Sequence, residues 1–87
     1  MNAEEIEQVL RAWCEERGHV ISGIGEVSEP VAALLLGVSA AALRLWINEG
    51  RSPLQPTRRY ARHRWYPLHT IAAFLADSEK DAQHGLD

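Results

Sequence analysis

Between Ser28 and Gly50 the chain carries the start and stop signals of a helix twice in succession. Ser28-Glu29-Pro30 supplies a capping serine, an acid suited to the positive helix end, and a proline where a missing N–H costs little. The helix this predicts, residues 30–36, is stopped by Gly37. Ser39 then caps a second helix over residues 40–49, stopped by Gly50. Two short helices around a three-residue turn containing glycine predict a helix-turn-helix unit. Everything else in a chain this short has to pack around that pair.

The next segment cannot extend the second helix, because Pro53 and Pro56 interrupt it. Arg62-His63-Arg64-Trp65-Tyr66 has the aromatic content of a strand, and residues 54–57 can pair with it as a short hairpin. Pro67 opens a closing helix in which Leu68, Ile71, Ala72 and Leu75 form the inner stripe, with Phe74 beside it. Ahead of the pair, residues 3–17 read as an amphipathic helix. Its stripe is Ile6, Val9, Leu10, Trp13 and Cys14, its cap is Asn2, Glu5 sits at the capping-box position, and Gly18 is its exit. The expected fold is mostly α: a helix-turn-helix with a short β-hairpin wing and an additional N-terminal helix. Residues 1–18 form that helix, packed on the domain or in a dimer contact. Residues 19–27 are a connector with room for a short strand at 19–22, residues 28–77 are the winged domain, and residues 78–87 are a polar tail. Gly23 and Gly25 do not make a phosphate loop, since no Gly-Lys-Ser/Thr follows them.

The net charge of −3 hides an uneven distribution. Residues 1–29 sum to −5 and residues 70–87 to −3, whereas residues 30–69 sum to +5, with six arginines against Glu49. Such a patch attracts polyanions whatever the total charge. Eighty-seven residues allow one domain, and no apolar run approaches the roughly 20 residues that cross a bilayer. A single cysteine, Cys14, excludes an internal disulfide and points to an intracellular, reducing compartment. Enzymatic readings lack their parts: His19, His63, His69 and His84 are scattered, zinc spacing is absent, and Ser39 is followed by alanines in the manner of a cap. No catalysis, metal or cofactor is expected.

On a helical wheel, Ala42, Leu43, Trp46 and Ile47 of the second helix share an inner arc, while Ala41, Arg44, Leu45 and Asn48 share the outer one. Set in a major groove, Arg44 can grip guanine O6 and N7, Asn48 can pair with adenine, and Ala41 and Leu45 can touch a thymine methyl. Ser39 at the cap and Arg51 past the end complete that edge. Arg58, Arg59, Arg62 and Arg64, with Tyr60 and His63 among them, suit phosphate oxygens. Alternation in the strand puts Arg62, Arg64 and Tyr66 on one face, and His63 and a core Trp65 on the other. A competing use of the arginines is pairing with the glutamates of the first helix.

Ala33-Leu34-Leu35-Leu36-Gly37-Val38-Ser39, then Leu43-Arg44-Leu45-Trp46 and Glu49-Gly50, resemble the MerR-like, excisionase-type winged helix-turn-helix proteins of prokaryotes and phages. The likeness covers about half the chain. It implies a recognition helix in the major groove, a wing on the adjacent backbone, and Arg44 with the wing arginines as contacts. Ala40, Ala41, Ala42 and Leu45 depart from commonly polar positions, which favours phosphate over base contacts. The long dimerisation helix and effector domain of full-length MerR regulators have no counterpart, so no small-molecule effector is expected.

The expectation is a double-stranded DNA-binding protein: a small transcription regulator or an excisionase-type directionality factor, with a homodimer as an option. Its rivals are a protein-interaction module that uses Leu34, Ala41 and Leu45, and the DNA-reading part of a phage packaging subunit.

Overall fold

A computed structural model describes the backbone of residues 1–51 and 54–86, and the side chains of these up to residue 78. Pro53 lies outside the described residues. Four helices and one three-stranded antiparallel sheet are present among them, in the order α1 (Ala3–Glu16), β1 (Glu26–Ser28), α2 (Glu29–Leu36), α3 (Ala40–Asn48), β2 (Arg58–Tyr60), β3 (His63–Pro67) and α4 (Leu68–Leu86). No single described helix is long and apolar enough to cross a membrane.

The turn and the second of the two central helices form for the reasons their sequence gives. Gly37 leaves α2 in the left-handed conformation, at φ 75°, which a side chain would resist. Ser39 Oγ accepts the Ala42 N–H at 3.0 Å and starts α3. The helices meet at 100°. Leu43 is fully buried, Ala42, Trp46 and Ile47 are partly buried, and Ala41, Arg44, Leu45 and Asn48 face water, so the inner and outer arcs fall as the wheel predicts.

The sheet departs from expectation. The short strand lies at Glu26–Ser28, not at residues 19–22. A tight turn spans Ser22 to Gly25, with Gly25 N donating to Ser22 O at 2.9 Å, and it reverses the chain before any pairing begins. β1 pairs with β3, Val27 opposite Tyr66 and Ser28 opposite Trp65. Ser28 is held in that ladder, and its side chain makes no capping bond to α2. The hairpin strand before the turn is Arg58–Tyr60, later than residues 54–57. Pro56 has no N–H to give the ladder, and the pairing begins when Thr57 N reaches Trp65 O at 2.8 Å.

The sheet order is β1-β3-β2, so β3 is central and paired along both edges. Trp65 and Tyr66 are both buried, although they point in opposite directions. Tyr66 shares the Arg64 face of β3 as the alternation predicts, but it belongs to the core, and Arg62 lies outside the strand in the turn. Pro67 ends β3 and does not open the helix; α4 starts one residue later and runs to Leu86. Residues 78–86 continue that helix where a polar tail was expected, because Ala, Glu, Lys, Asp and Gln there contain no breaker before Gly85.

The core joins Ile6, Leu10 and Cys14 of α1, Val27, Val31 and Ala32, Leu43, Tyr66, and Leu68, Ile71 and Ala72 of α4. α1 is capped by Asn2, whose Oδ1 accepts Glu5 N at 2.8 Å. Val9 is 54% exposed instead of buried: the i, i+4, i+8 line of Ile6, Leu10 and Cys14 meets the core and leaves Val9 on its flank. Burial pushes the Cys14 thiol above its usual range, against a smaller downward pull from Arg11.

Candidate nucleic-acid interface

The basic segment sorts into two faces of the β2–β3 hairpin. Directly opposed residues share a side, so Arg58, Tyr60, His63 and Trp65 lie on one face, and Arg59, Arg64 and Tyr66 on the other.

The first face centres on a buried acid. Glu26, 1% exposed, accepts Arg58 Nε at 2.8 Å and the Ser22 hydroxyl at 3.1 Å on Oε1, and the Thr57 hydroxyl on Oε2. Arg58 also lies 5.5 Å from the centre of the Tyr60 ring. A carboxylate taken out of water needs such partners, so Arg58 is committed to the fold.

The second face is built around Glu29, 3% exposed at the start of α2. Its Oε1 accepts Arg44 Nε at 3.2 Å and its Oε2 accepts the Tyr66 hydroxyl at 2.7 Å. Burial chiefly, and then the hydrogen bond to Glu29 and its charge, push the Tyr66 phenol well above its ordinary range, while Arg64 beside it pulls the other way. Arg64 Nη2 donates to Asn48 Oδ1 at 3.3 Å and ties the hairpin to α3. Arg64 Nη1 is buried with no hydrogen-bond partner.

These groups surround a cleft of about 240 Å³ lined by Glu29, Arg44, Arg59, Arg62, His63 and Arg64. Four arginines thus line a space holding one carboxylate that is already engaged. Arg62 reaches it from the two-residue turn between β2 and β3, where Ala61 has φ 51° and Arg62 φ 70°. Type I′ hairpin turns need that backbone, and they favour Asn-Gly because a side chain resists it.

Of the residues singled out from sequence, Arg44, Arg59, Arg62 and Arg64 are brought together, and Asn48 joins them through Arg64. Ala41 and Leu45 sit exposed on the outer arc of α3, with Ser39 at its cap. Arg51 and Arg58 lie apart from the cleft: Arg51 pairs with Glu49 at 2.9 Å, and Arg58 is on the opposite hairpin face. Arg44, Arg51 and Arg58 pair with Glu29, Glu49 and Glu26, and among the described residues none of the three pairs with a glutamate of α1, where Glu7 pairs with Arg11 instead. The sequence marks Glu29 only as an acid at a helix start and Tyr66 only as a strand residue, and it gives Glu26 no role. The one further signal is position, since Glu26 and Glu29 are the last acids before a stretch with six arginines and only Glu49 against them.

No protein-family model, curated protein or solved structure matches the chain.

Proposed function

We propose that the protein binds double-stranded DNA, with the outer arc of α3 in the major groove and the β2–β3 hairpin against the backbone, as in a winged helix-turn-helix. The observation that carries this reading is the convergence of Arg44, Arg59, Arg62 and Arg64, from a helix, a strand, a turn and a second strand, on one exposed cleft. The crossing of α2 and α3 at 100° lies within the range of helix-turn-helix pairs. The resemblance of residues 33–50 to MerR-like and excisionase-type domains supports the same reading, and with it a role in transcription or recombination in a prokaryotic cytoplasm or nucleoid. On this reading Arg44 offers a base edge its terminal nitrogens, because Nε is held by Glu29.

The test is fluorescence anisotropy with a duplex from the gene's flanking region against a scrambled one, across salt. Each backbone phosphate that the protein neutralises contributes roughly −0.9 to the slope of log affinity on log salt. Site preference that persists at physiological salt supports the reading. Equal, weak binding that salt abolishes overturns it. A second reading, a protein-interaction module, is favoured by the exposure of Leu34 (59%) and Leu45 (54%) on neighbouring helices. It requires self-association or a protein complex in sedimentation, and duplex affinity no better than that of any basic surface.

A further inference from the structure

The free protein holds an arrangement on its second hairpin face that is unfavourable unless something anionic joins it. Arg59 and Arg64 stand directly opposite each other across the β2–β3 ladder, and like charges in that position repel. Glu29, the one acid in the lining, already bonds Arg44 and Tyr66, and its single charge stands against four arginines. Arg64 Nη1 is buried without a hydrogen bond of good geometry, although the Tyr66 hydroxyl lies beside Arg64, and a charged donor so placed is costly. Arg62 is kept over the same cleft at a left-handed turn position where glycine is easier. These are independent costs, one electrostatic, one of desolvation and one of backbone, and all three converge on one space of about 240 Å³. Backbone strain gathered at one site is a mark of function.

We infer that this cleft is a socket for a single phosphate group, held by Arg59, Arg62 and Arg64 with Arg44 at its edge. A tetrahedral oxyanion accepts from several guanidinium forks at once and sits between Arg59 and Arg64 as their shared counter-ion. The phosphate belongs either to the DNA backbone or to a free or terminal phosphate. The first source rests on the proposed DNA reading; the socket itself does not.

A ligand that relieves these costs stabilises the fold, and this gives the test. Thermal unfolding is followed with inorganic phosphate added against chloride at equal ionic strength. The expected result is a saturable rise in Tm, roughly 5–10 °C at ten times the phosphate dissociation constant for a chain of this size. Phosphate also stabilises proteins generally by exclusion, without saturating, so the Arg59→Gln variant isolates the site. Arg59→Gln is expected to melt higher than the parent in chloride, because the repulsion is gone, and to lose the saturable response. Equal melting of the parent in phosphate and chloride overturns the proposal, even where duplex binding is intact. So does an Arg59→Gln variant that keeps the saturable rise. Phosphate that displaces duplex with its own dissociation constant identifies the backbone as the source. Saturable stabilisation with no duplex binding leaves the socket standing for a free phosphate and removes the DNA reading alone.

Discussion

Arg44 donates its Nε to Glu29 across 3.2 Å while its side chain stays 60% exposed, so a buried acid orients an arginine that still reaches solvent. The nitrogen nearest the helix is fixed and the terminal pair is left for an incoming group. Glu29→Gln is expected to keep the fold, with a loss of about 1–3 kcal/mol from the weakened bonds to Arg44 and Tyr66. It is also expected to blur base preference, as Arg44→Ala does by about 1–3 kcal/mol at the contacted pair. Urea unfolding checks the first, and anisotropy on duplexes with single base changes checks the second. A Glu29→Gln protein with full discrimination would mean that Arg44 needs no anchor.

Arg58 and Arg59 are neighbours in sequence with opposite duties. Arg58→Ala leaves the buried Glu26 with only hydroxyl partners and is expected to cost about 2–3 kcal/mol of stability. Arg59→Ala is expected to cost no stability and to weaken binding to every duplex alike. Denaturant midpoints of the two variants, measured side by side, should differ plainly. Equal midpoints would refute the division of the hairpin into a structural and a binding face.

The turn offers a separation of stability from function. Replacing Ala61-Arg62 with Asn-Gly (A61N and R62G together) relaxes both left-handed residues and is expected to stabilise the protein by about 1–2 kcal/mol. Duplex binding should weaken and lose about one unit of salt slope. Ala61→Asn alone should stabilise with binding unchanged. A double variant that binds as tightly as the parent would show that Arg62 makes no contact.

Tyr66 sets a limit at high pH. Its phenol is raised in the folded chain relative to the unfolded one, so its contribution is complete below the unfolded value of about 10 and is lost as pH climbs through the folded value. Stability should therefore show no dependence on this group near neutrality and fall in strong alkali. Tyr66→Phe should remove that alkaline fall and cost about 1–3 kcal/mol at neutral pH, through the donor lost to Glu29. Phenolate absorbance and urea midpoints against pH check both.

The helix pair could be read from sequence because its signals are local. Ser39 and Gly37 act on backbone within four residues, and the wheel for residues 40–49 needs no knowledge of the rest of the chain. The same locality made α1 readable, except for Val9, whose exposure depends on where the line of Ile6, Leu10 and Cys14 meets its neighbours. What stayed hidden is what distant residues decide. β1 is three residues with two polar side chains, and it becomes a strand only because β3 lies beside it. Glu29 reads locally as an acid at a helix start, and only the arrival of Tyr66, 37 positions later, makes it a buried junction. The hairpin turn was missed because Ala-Arg carries none of the usual turn chemistry. The tightness of that turn follows from the pairing of Tyr60 with His63.

The ladder between Glu26–Ser28 and β3 also governs the order of events in synthesis. Both central helices lie within a loop whose ends join only when residues 65–67 exist, and Tyr66, which fills the centre, arrives with them. A chain growing from its N-terminus carries α1, α2 and α3 with Glu26 still lacking Thr57 and Arg58, and Glu29 still lacking Tyr66. Consolidation waits for residues 65–67, so a chain stopped before Trp65 would be unclosed, with its apolar helix faces open to chaperones.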